Sequence, residues 1–178
     1  MKKLMIAAAI VCAAAFATAA AVDWTASAVC EPSNSGAKVT PASGWLGYMI
    51  LAEDLGDVTD ALDSGSTQEL VDSALGPVKT SSSKGTFSAG TTSSSVAAGS
   101  QTFYMIVLNN GTASKATYYY VSNATTTTVD ASLPTSVEFG TQKYSSKSTS
   151  NWYAIPEPTS GLLLLLGMAG LALKRKRA

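Results

Sequence analysis

Two uncharged apolar runs, one near each end of the 178-residue chain, limit its possible folds more than any other feature. Each run has cations on one side only: Lys2 and Lys3 precede the first, and residues 174–177 follow the second. A long apolar run with a cationic flank is typical of a segment that enters a membrane. The residues between the two runs must therefore supply any water-exposed domain.

Residues 1–21 have the layout of a secretory signal peptide. After the two lysines, residues 4–16 carry no charge, and residues 17–21 are all Ala or Thr. Signal peptidase binds small side chains at the first and third positions before the bond that it cleaves. We therefore expect signal peptidase to cleave after Ala21, with Ala19 as the second choice.

The second apolar run predicts a short transmembrane helix over residues 159–173. These 15 residues carry no charge and include seven leucines. They would form a helix about 22 Å long, against a hydrocarbon layer of about 30 Å. Local bilayer thinning and the reach of flanking Lys and Arg side chains absorb such a mismatch. By the positive-inside rule, four cations then hold the chain end in the cytoplasm: Lys174, Arg175, Lys176 and Arg177.

A short motif precedes this run. The segment Pro156-Glu157-Pro158 is a rigid extended stretch before the apolar run. Each proline restricts its own backbone dihedral angles and those of the residue before it. The order of Pro-Glu-Pro, apolar run and basic end resembles the PEP-CTERM sorting tail of exosortase substrates, over about residues 155–178. The resemblance implies that an exosortase, an integral-membrane cysteine protease by analogy, recognises the three motif residues and processes the protein.

The same resemblance implies a location and an organisation. Proteins with this tail are similar to surface or extracellular-polysaccharide components of Gram-negative, biofilm-forming bacteria. The protein would be exported, held briefly in the inner membrane by its C-terminal helix, and then placed at the cell surface or outside it. The tail occurs with unrelated middle segments, so it implies nothing about the activity of this one. We divide the chain into a signal peptide (1–21), an exported domain (22–155) and a sorting tail (156–178).

The charge of residues 22–155 excludes one class of partner. The segment has six lysines, no arginine and eleven carboxylates, a net charge of −5. Neutralising phosphates requires clustered Lys or Arg, so we expect no nucleic-acid partner. The expected partners are exosortase, signal peptidase and membrane lipid around the C-terminal helix, with extracellular polysaccharide as a further candidate.

Residues 22–155 also predict a mainly β fold. Ser and Thr supply 41 of these 134 residues, a composition that suits solvent-exposed strands and loops. Alternating or continuous apolar patterns predict strands over residues 22–28, 45–51, 102–108, 116–121, 136–139 and 150–155. Asn109, Asn110 and Gly111 tolerate positive φ, so they predict a hairpin between the third and fourth of these strands.

One segment departs from the β pattern. Ser66 and Glu69 have the spacing of a capping box, and Gly76-Pro77 is a stop signal, so we predict a short helix between them. A second helix is predicted over residues 58–62. The predicted fold is a single β-sandwich or jelly-roll-like domain with a short helical insertion. An N-terminal signal helix and a C-terminal transmembrane helix flank it.

The residues do not indicate catalytic chemistry. The chain has no His, which excludes His-dependent catalysis, and Cys30 has no His or Arg in the exported segment to activate its thiol. Four aspartates recur every third residue from Asp54 to Asp63, but the ligand spacing of an EF-hand is absent, so they are interpreted as a solvated face. We expect no catalytic residue, metal site or cofactor.

The sequence leaves three functions open. The first is a non-enzymatic surface or matrix protein. The second is a carbohydrate-binding module that uses aromatic side chains on one sheet face. Its candidate rings are Trp24, Trp45, Tyr118, Tyr119, Tyr120, Trp152 and Tyr153. The third is a secreted hydrolase with two carboxylates in one cleft, whose spatial separation the sequence does not reveal.

Overall fold

The computed structural model describes residues 19–30, 41, 43–90, 96–141 and 152–157. The strands in these residues are β1 (Ala19–Ala20), β2 (Val22–Ser27), β3 (Leu46–Leu51), β4 (Lys79–Thr80), β5 (Val96–Ala97), β6 (Gly99–Leu108), β7 (Tyr118–Val121), β8 (Thr125–Val129), β9 (Thr135–Thr141) and β10 (Trp152–Ala154). The α-helices are α1 (Leu55–Asp63) and α2 (Gln68–Asp72). The prediction of a mainly β domain with a short helical insertion is confirmed. The predicted transmembrane helix and residues 1–18 of the predicted signal peptide lie outside the described residues, whereas Ala19 and Ala20 at the end of that peptide form a strand and not a helix.

The central sheet is organised around β6. β6 pairs with β3 in antiparallel register from Leu46 opposite Leu108 to Leu51 opposite Phe103. Its second half pairs with β7 on the other side, and its first half pairs with β8. The sheet order is β10-β7-β6-β3-β4, with β8 beside β6. The hairpin predicted at residues 109–111 is thus present between β6 and β7.

Ser122 marks the break between β7 and β8. The Ser122 N–H donates to the Met105 carbonyl oxygen at 2.9 Å, and the Met105 N–H donates to Ser122 Oγ at 2.9 Å. A hydroxyl therefore replaces a strand carbonyl at this point. The buried Met105 N–H therefore keeps a hydrogen-bond acceptor while the chain passes from β7 to β8.

The two faces of the sheet are covered differently. Tyr48 and Ile50 of β3 point to one side, where α1 and α2 pack through Val58, Leu62 and Leu70. Met49 lies between them in sequence and points to the other side, as the two-residue period of a strand requires. The helices therefore cover one face and leave the other for a second group of strands.

That second group contains β2 and β9. They pair in parallel, with Val22 opposite Thr135 and Trp24 opposite Val137. Trp24 and Val137 share one buried cluster with Met105 from the central sheet, so the parallel pair covers the face opposite the helices.

The helical segment differs in detail from its prediction. The predicted capping box is wrong, because α2 begins after Thr67 and makes no side-chain capping hydrogen bond. Ser66 Oγ instead accepts a hydrogen bond from the Gln68 N–H at 3.4 Å. The helix predicted over residues 58–62 is part of the longer α1, whose buried residues are Val58 and Leu62.

Candidate functional site

The folded domain extends to the residue before the Pro-Glu-Pro motif. β10 pairs with β7, from Trp152 opposite Tyr120 to Ala154 opposite Tyr118. The next residue, Ile155, is 8% exposed and packs in the helix-side cluster. Its N–H donates to the Thr117 carbonyl oxygen at 2.8 Å. No flexible linker therefore separates the domain from the motif.

The motif begins where strand pairing ends. Pro156 has no N–H to donate, so it cannot extend the ladder with β7. Pro156 and Glu157 are both exposed, and they line a cleft of about 490 Å³ together with residues 65–68 and 113–117. Pro158 lies outside the described residues.

Aromatic rings hold β10 against the domain. Trp152 contacts Trp45 edge to face, with ring centroids 5.4 Å apart, and it also contacts Tyr120 at 5.4 Å. On the opposite face, Tyr153 stacks on Tyr119 at 5.1 Å. Such pairs contribute about 0.5–1.5 kcal/mol each beyond their buried area. A strand of three residues is thereby held on both of its faces.

Tyr119 also connects this strand pair to the helices. Its hydroxyl donates to Asp63 Oδ1 at 2.8 Å. Burial is the main cause that raises the pKa of Tyr119 well above its ordinary value, and the hydrogen bond to the Asp63 carboxylate raises this pKa further. The phenol therefore remains a neutral donor over the physiological pH range, and the end of α1 is fixed beside the strand that carries β10.

Residues 154–177 match the family model described as the PEP-CTERM protein-sorting motif. The chain carries a PEP-CTERM sorting tail. The tail is a C-terminal sorting signal for exosortase processing, which implies export and membrane-associated processing. No curated protein and no solved structure matches the chain.

The hydrophobic and basic parts of the PEP-CTERM tail lie beyond the region that the structure describes. The predicted transmembrane helix over 159–173 and the cations Lys174, Arg175, Lys176 and Arg177 belong to this part. Within the described ranges, neither α1 nor any other helix has the length and hydropathy needed to cross a membrane.

The signal-cleavage candidates lie at the start of the described domain. Ala19 and Ala20 form β1, which pairs in antiparallel fashion with β5. The Ala21 carbonyl oxygen accepts a hydrogen bond from the Thr135 N–H at 2.9 Å. The structure therefore places both Ala19 and Ala21 in hydrogen-bonded backbone.

The exposed tyrosines near the PEP-CTERM tail do not form one platform. Tyr118 is 39% exposed and Tyr153 is 48% exposed. Tyr153 shares a face with Tyr119, whereas Tyr118 shares the opposite face with Tyr120, because strand neighbours alternate. The other candidate rings are buried or half-buried, and Trp24 is 1% exposed.

The most buried charges of the described residues belong to a pair that no sequence pattern predicts. Lys79 Nζ lies 2.5 Å from Asp23 Oδ1, and it also donates to the carbonyl oxygens of Trp24 and, at 2.9 Å, Ser88. The ammonium lies 4.9 Å from the centroid of the Trp24 ring, which adds a cation–π contact. Because the two charged residues are 56 positions apart in sequence, no local pattern indicates this pair.

Asp23 is fully hydrogen-bonded on both oxygens. Oδ2 accepts from the Gly90 N–H at 2.8 Å while Oδ1 contacts the ammonium. Burial by itself raises the pKa of Asp23, but the hydrogen bonds from Lys79 and Gly90 outweigh burial and hold that pKa below its ordinary value. The pair is therefore ionised and internally satisfied, which indicates a structural role.

The two clefts of the described region do not bring carboxylates together. Asp57, Asp60 and Asp63 lie exposed on α1. The cleft beside the PEP-CTERM tail contains one carboxylate, Glu157, and a second cleft beside β4 contains none. In the described part of the chain, no group of three or more Asp, Glu, Cys or His side chains could hold a metal ion.

Proposed function

We propose that this protein is a non-enzymatic surface or matrix protein whose β-domain is delivered to the envelope by its PEP-CTERM tail. The observation that carries the proposal is the match of residues 154–177 to the sorting motif. Exosortase recognises Pro156, Glu157 and Pro158. The exposure of Pro156 and Glu157 supports this role, because an enzyme must reach the residues that it binds.

The signal peptide and the rest of the tail also have roles in the proposed export. Signal peptidase removes the N-terminal segment after export. Residues 159–173 hold the protein temporarily in the inner membrane, with the cations of residues 174–177 on the cytoplasmic side. After exosortase has acted, the domain is displayed at the cell surface or released outside the cell.

The absence of catalysis is part of the proposal. The two clefts of the described region support it, because they contain only one carboxylate between them, Glu157. A hydrolase that used two carboxylates would need both of them in one cleft. That function is the alternative with the least support.

The experimental test distinguishes recognition of the motif by exosortase from membrane anchoring by the apolar run. Replacing Pro156, Glu157 and Pro158 by alanine in a host that contains exosortase should leave membrane insertion intact, because the apolar run is unchanged. Processing should stop, and the unprocessed precursor should accumulate in the membrane fraction, as measured by intact mass. The matched control replaces Leu133 and Pro134, which are exposed in a turn, by alanine and should be processed normally. A motif variant with the wild-type mature mass would refute the proposal.

A carbohydrate-binding module remains the second candidate. It is favoured by the exposed rings of Tyr118 and Tyr153, each of which can stack on one sugar ring. Because the two rings lie on opposite faces, each would bind a separate glycan. A glycan array with the mature protein tests this function: binding that is lost in Tyr153→Ala would support it, and no binding across a broad panel would remove it.

A further inference from the structure

We propose that signal peptidase cleaves after Ala17, so that the mature protein begins at Thr18 and keeps Ala19, Ala20 and Ala21 as part of the exported domain. This places the cleaved bond upstream of the two sites expected from the sequence. The inference rests on the export that is part of the proposed function.

The first support is the pairing of β1. Ala19 lies opposite Ala97 and Ala20 lies opposite Val96 in an antiparallel pair. Ala20 is 3% exposed and Val96 is 1% exposed, and both belong to the same buried cluster as Trp24. A mature chain that began at Val22 would lack β1 and would uncover Val96 and its backbone groups.

The second support is the role of Ala21. Its carbonyl oxygen accepts the Thr135 N–H at 2.9 Å, immediately before the parallel register of Val22 and Thr135. Cleavage after Ala21 would remove this acceptor. It would also create a charged ammonium on Val22, a residue that is 2% exposed. Placing a charge at a buried position is unfavourable unless the charge is paired.

Cleavage after Ala19 has a similar consequence. The new ammonium would lie on Ala20, which is buried, and the pairing of Ala19 with Ala97 would be lost. A chain that begins at Thr18 has its charged end one residue before β1 and keeps the complete strand.

The sequence offers a suitable site at this position. Ala15 and Ala17 are the small residues at the third and first positions before the proposed bond. The uncharged residues 4–14 then form an apolar segment of eleven residues, within the usual range of roughly 7–15. Signal peptidase acts on the unfolded chain, so the fold does not protect the downstream bonds. The fold instead defines the shortest product that can complete its strands.

N-terminal sequencing of the exported protein, purified from a host with exosortase, tests the inference directly. We expect Thr18 as the first residue. A first residue of Ala20 or Val22 would overturn the inference and leave the proposed export intact. Retention of Met1 in the membrane-inserted protein would contradict both.

Two matched variants locate the cleaved bond independently of folding. Ala17→Gln places a large side chain directly before the proposed bond and should cause precursor to accumulate or move the N-terminus. Ala21→Gln should leave Thr18 as the first residue. Loss of processing in Ala21→Gln, or an unchanged N-terminus in Ala17→Gln, would overturn the inference.

The thermal stability of a variant tests independently whether the mature protein retains Ala20. Ala20→Gln should lower the Tm of the mature protein by roughly 3–6 °C, because it places a polar side chain in the buried cluster. If cleavage removed Ala20, the mature variant and the wild type would be the same molecule. An identical Tm would therefore refute the retention of this residue.

Discussion

Gly47 lies in β3, where the aromatic rings of Phe87 and Trp24 pack closely against the strand. A Cβ at this position would be 2.5 Å from Phe87 Cε1 and 2.8 Å from Trp24 Cη2. Both rings are buried and contact each other at a centroid distance of 5.3 Å. A glycine inside an apolar strand therefore marks close packing, which agrees with the usual meaning of glycine in strand interiors.

Gly47→Ala should lower the free energy of unfolding by about 1–3 kcal/mol, because the new methyl group overlaps two rings that cannot move freely. Urea unfolding of the purified protein measures the change. Gly56→Ala is the matched control, since a Cβ there meets nothing within 4 Å and alanine favours the helix. Equal stability of Gly47→Ala and the wild type would show that the rings do not pack on β3 as described.

The Asp23–Lys79 pair should make stability depend on pH in the acid range. The pKa of Asp23 is lower in the folded protein than in the unfolded chain, so the unfolded state binds more protons as the pH falls. The stabilisation is present above the unfolded pKa of about 3.9 and is lost as the pH falls through the folded value.

Asp23→Asn should remove this dependence and flatten the acid side of a plot of stability against pH. At neutral pH the variant should be less stable by about 3–5 kcal/mol, because Lys79 remains buried without its carboxylate. Thermal unfolding between pH 2 and 7 measures both effects. The double variant Asp23→Leu, Lys79→Met separates the pair from the single charge, and it should recover part of the loss. An acid limb that is unchanged in Asp23→Asn would contradict the assignment.

At the scale of elements, β10 determines how the tail leaves the domain. Ile155 is the last buried residue of the described part of the chain, and three residues separate it from Thr159, where the predicted transmembrane helix begins. The four Cα–Cα steps from Ile155 to Thr159 span at most about 14 Å. In the proposed membrane-anchored form, this short distance would hold the folded domain close to the bilayer surface.

A flexible Gly-Ser linker of about eight residues, inserted between Ile155 and Pro156, should speed exosortase processing, because it separates the motif from the folded domain. Pulse-chase labelling with detection of the mature form measures the rate. The same linker inserted after Ser132, in an exposed turn, is the control and should leave the rate unchanged. Slower processing with the linker beside the motif would indicate that exosortase requires the adjacent domain surface.

The sequence predicts those elements whose pattern is local. Strands β2, β3, β6, β7, β9 and β10 follow from alternating or continuous apolar residues, and the start of the tail follows from its motif. β8 is not predicted by the sequence, because Thr125–Val129 has no apolar alternation. It forms because β6 is ten residues long and offers a free edge, and the hydroxyl of Thr126 lies 2.9 Å from that of Thr102.

Pairing between residues distant in sequence explains the other differences between the predicted and the observed fold. No local feature links β2 to β9, and nothing near Ile155 in sequence indicates its bond to Thr117. The sandwich or jelly-roll arrangement stays a prediction. What the structure adds is a central sheet with helices on one face and a parallel strand pair on the other.

At the scale of the whole molecule, the basic end of the tail should fix its orientation. Replacing Lys174, Arg175, Lys176 and Arg177 by serine should weaken retention of the chain end in the cytoplasm, because the positive-inside rule no longer applies. Accessibility of a cysteine added after Ala178 to an impermeant thiol reagent, in a chain with Cys30 replaced by serine, measures this. Replacing the exposed Lys84 and Lys115 by serine is the control for removal of positive charge elsewhere in the chain. A C-terminus that stays protected in the fourfold variant would refute the assigned topology.

The parallel pairing of β2 with β9 has a consequence for export. The first long strand of the domain cannot find its partner until Thr135 and the residues after it have emerged, shortly before the sorting tail. Contacts between such distant segments form late, because the intervening loop must close first. During the proposed export, β2 therefore crosses the membrane before its partner, and the β2–β9 pair can form only after residues 135–141 have followed.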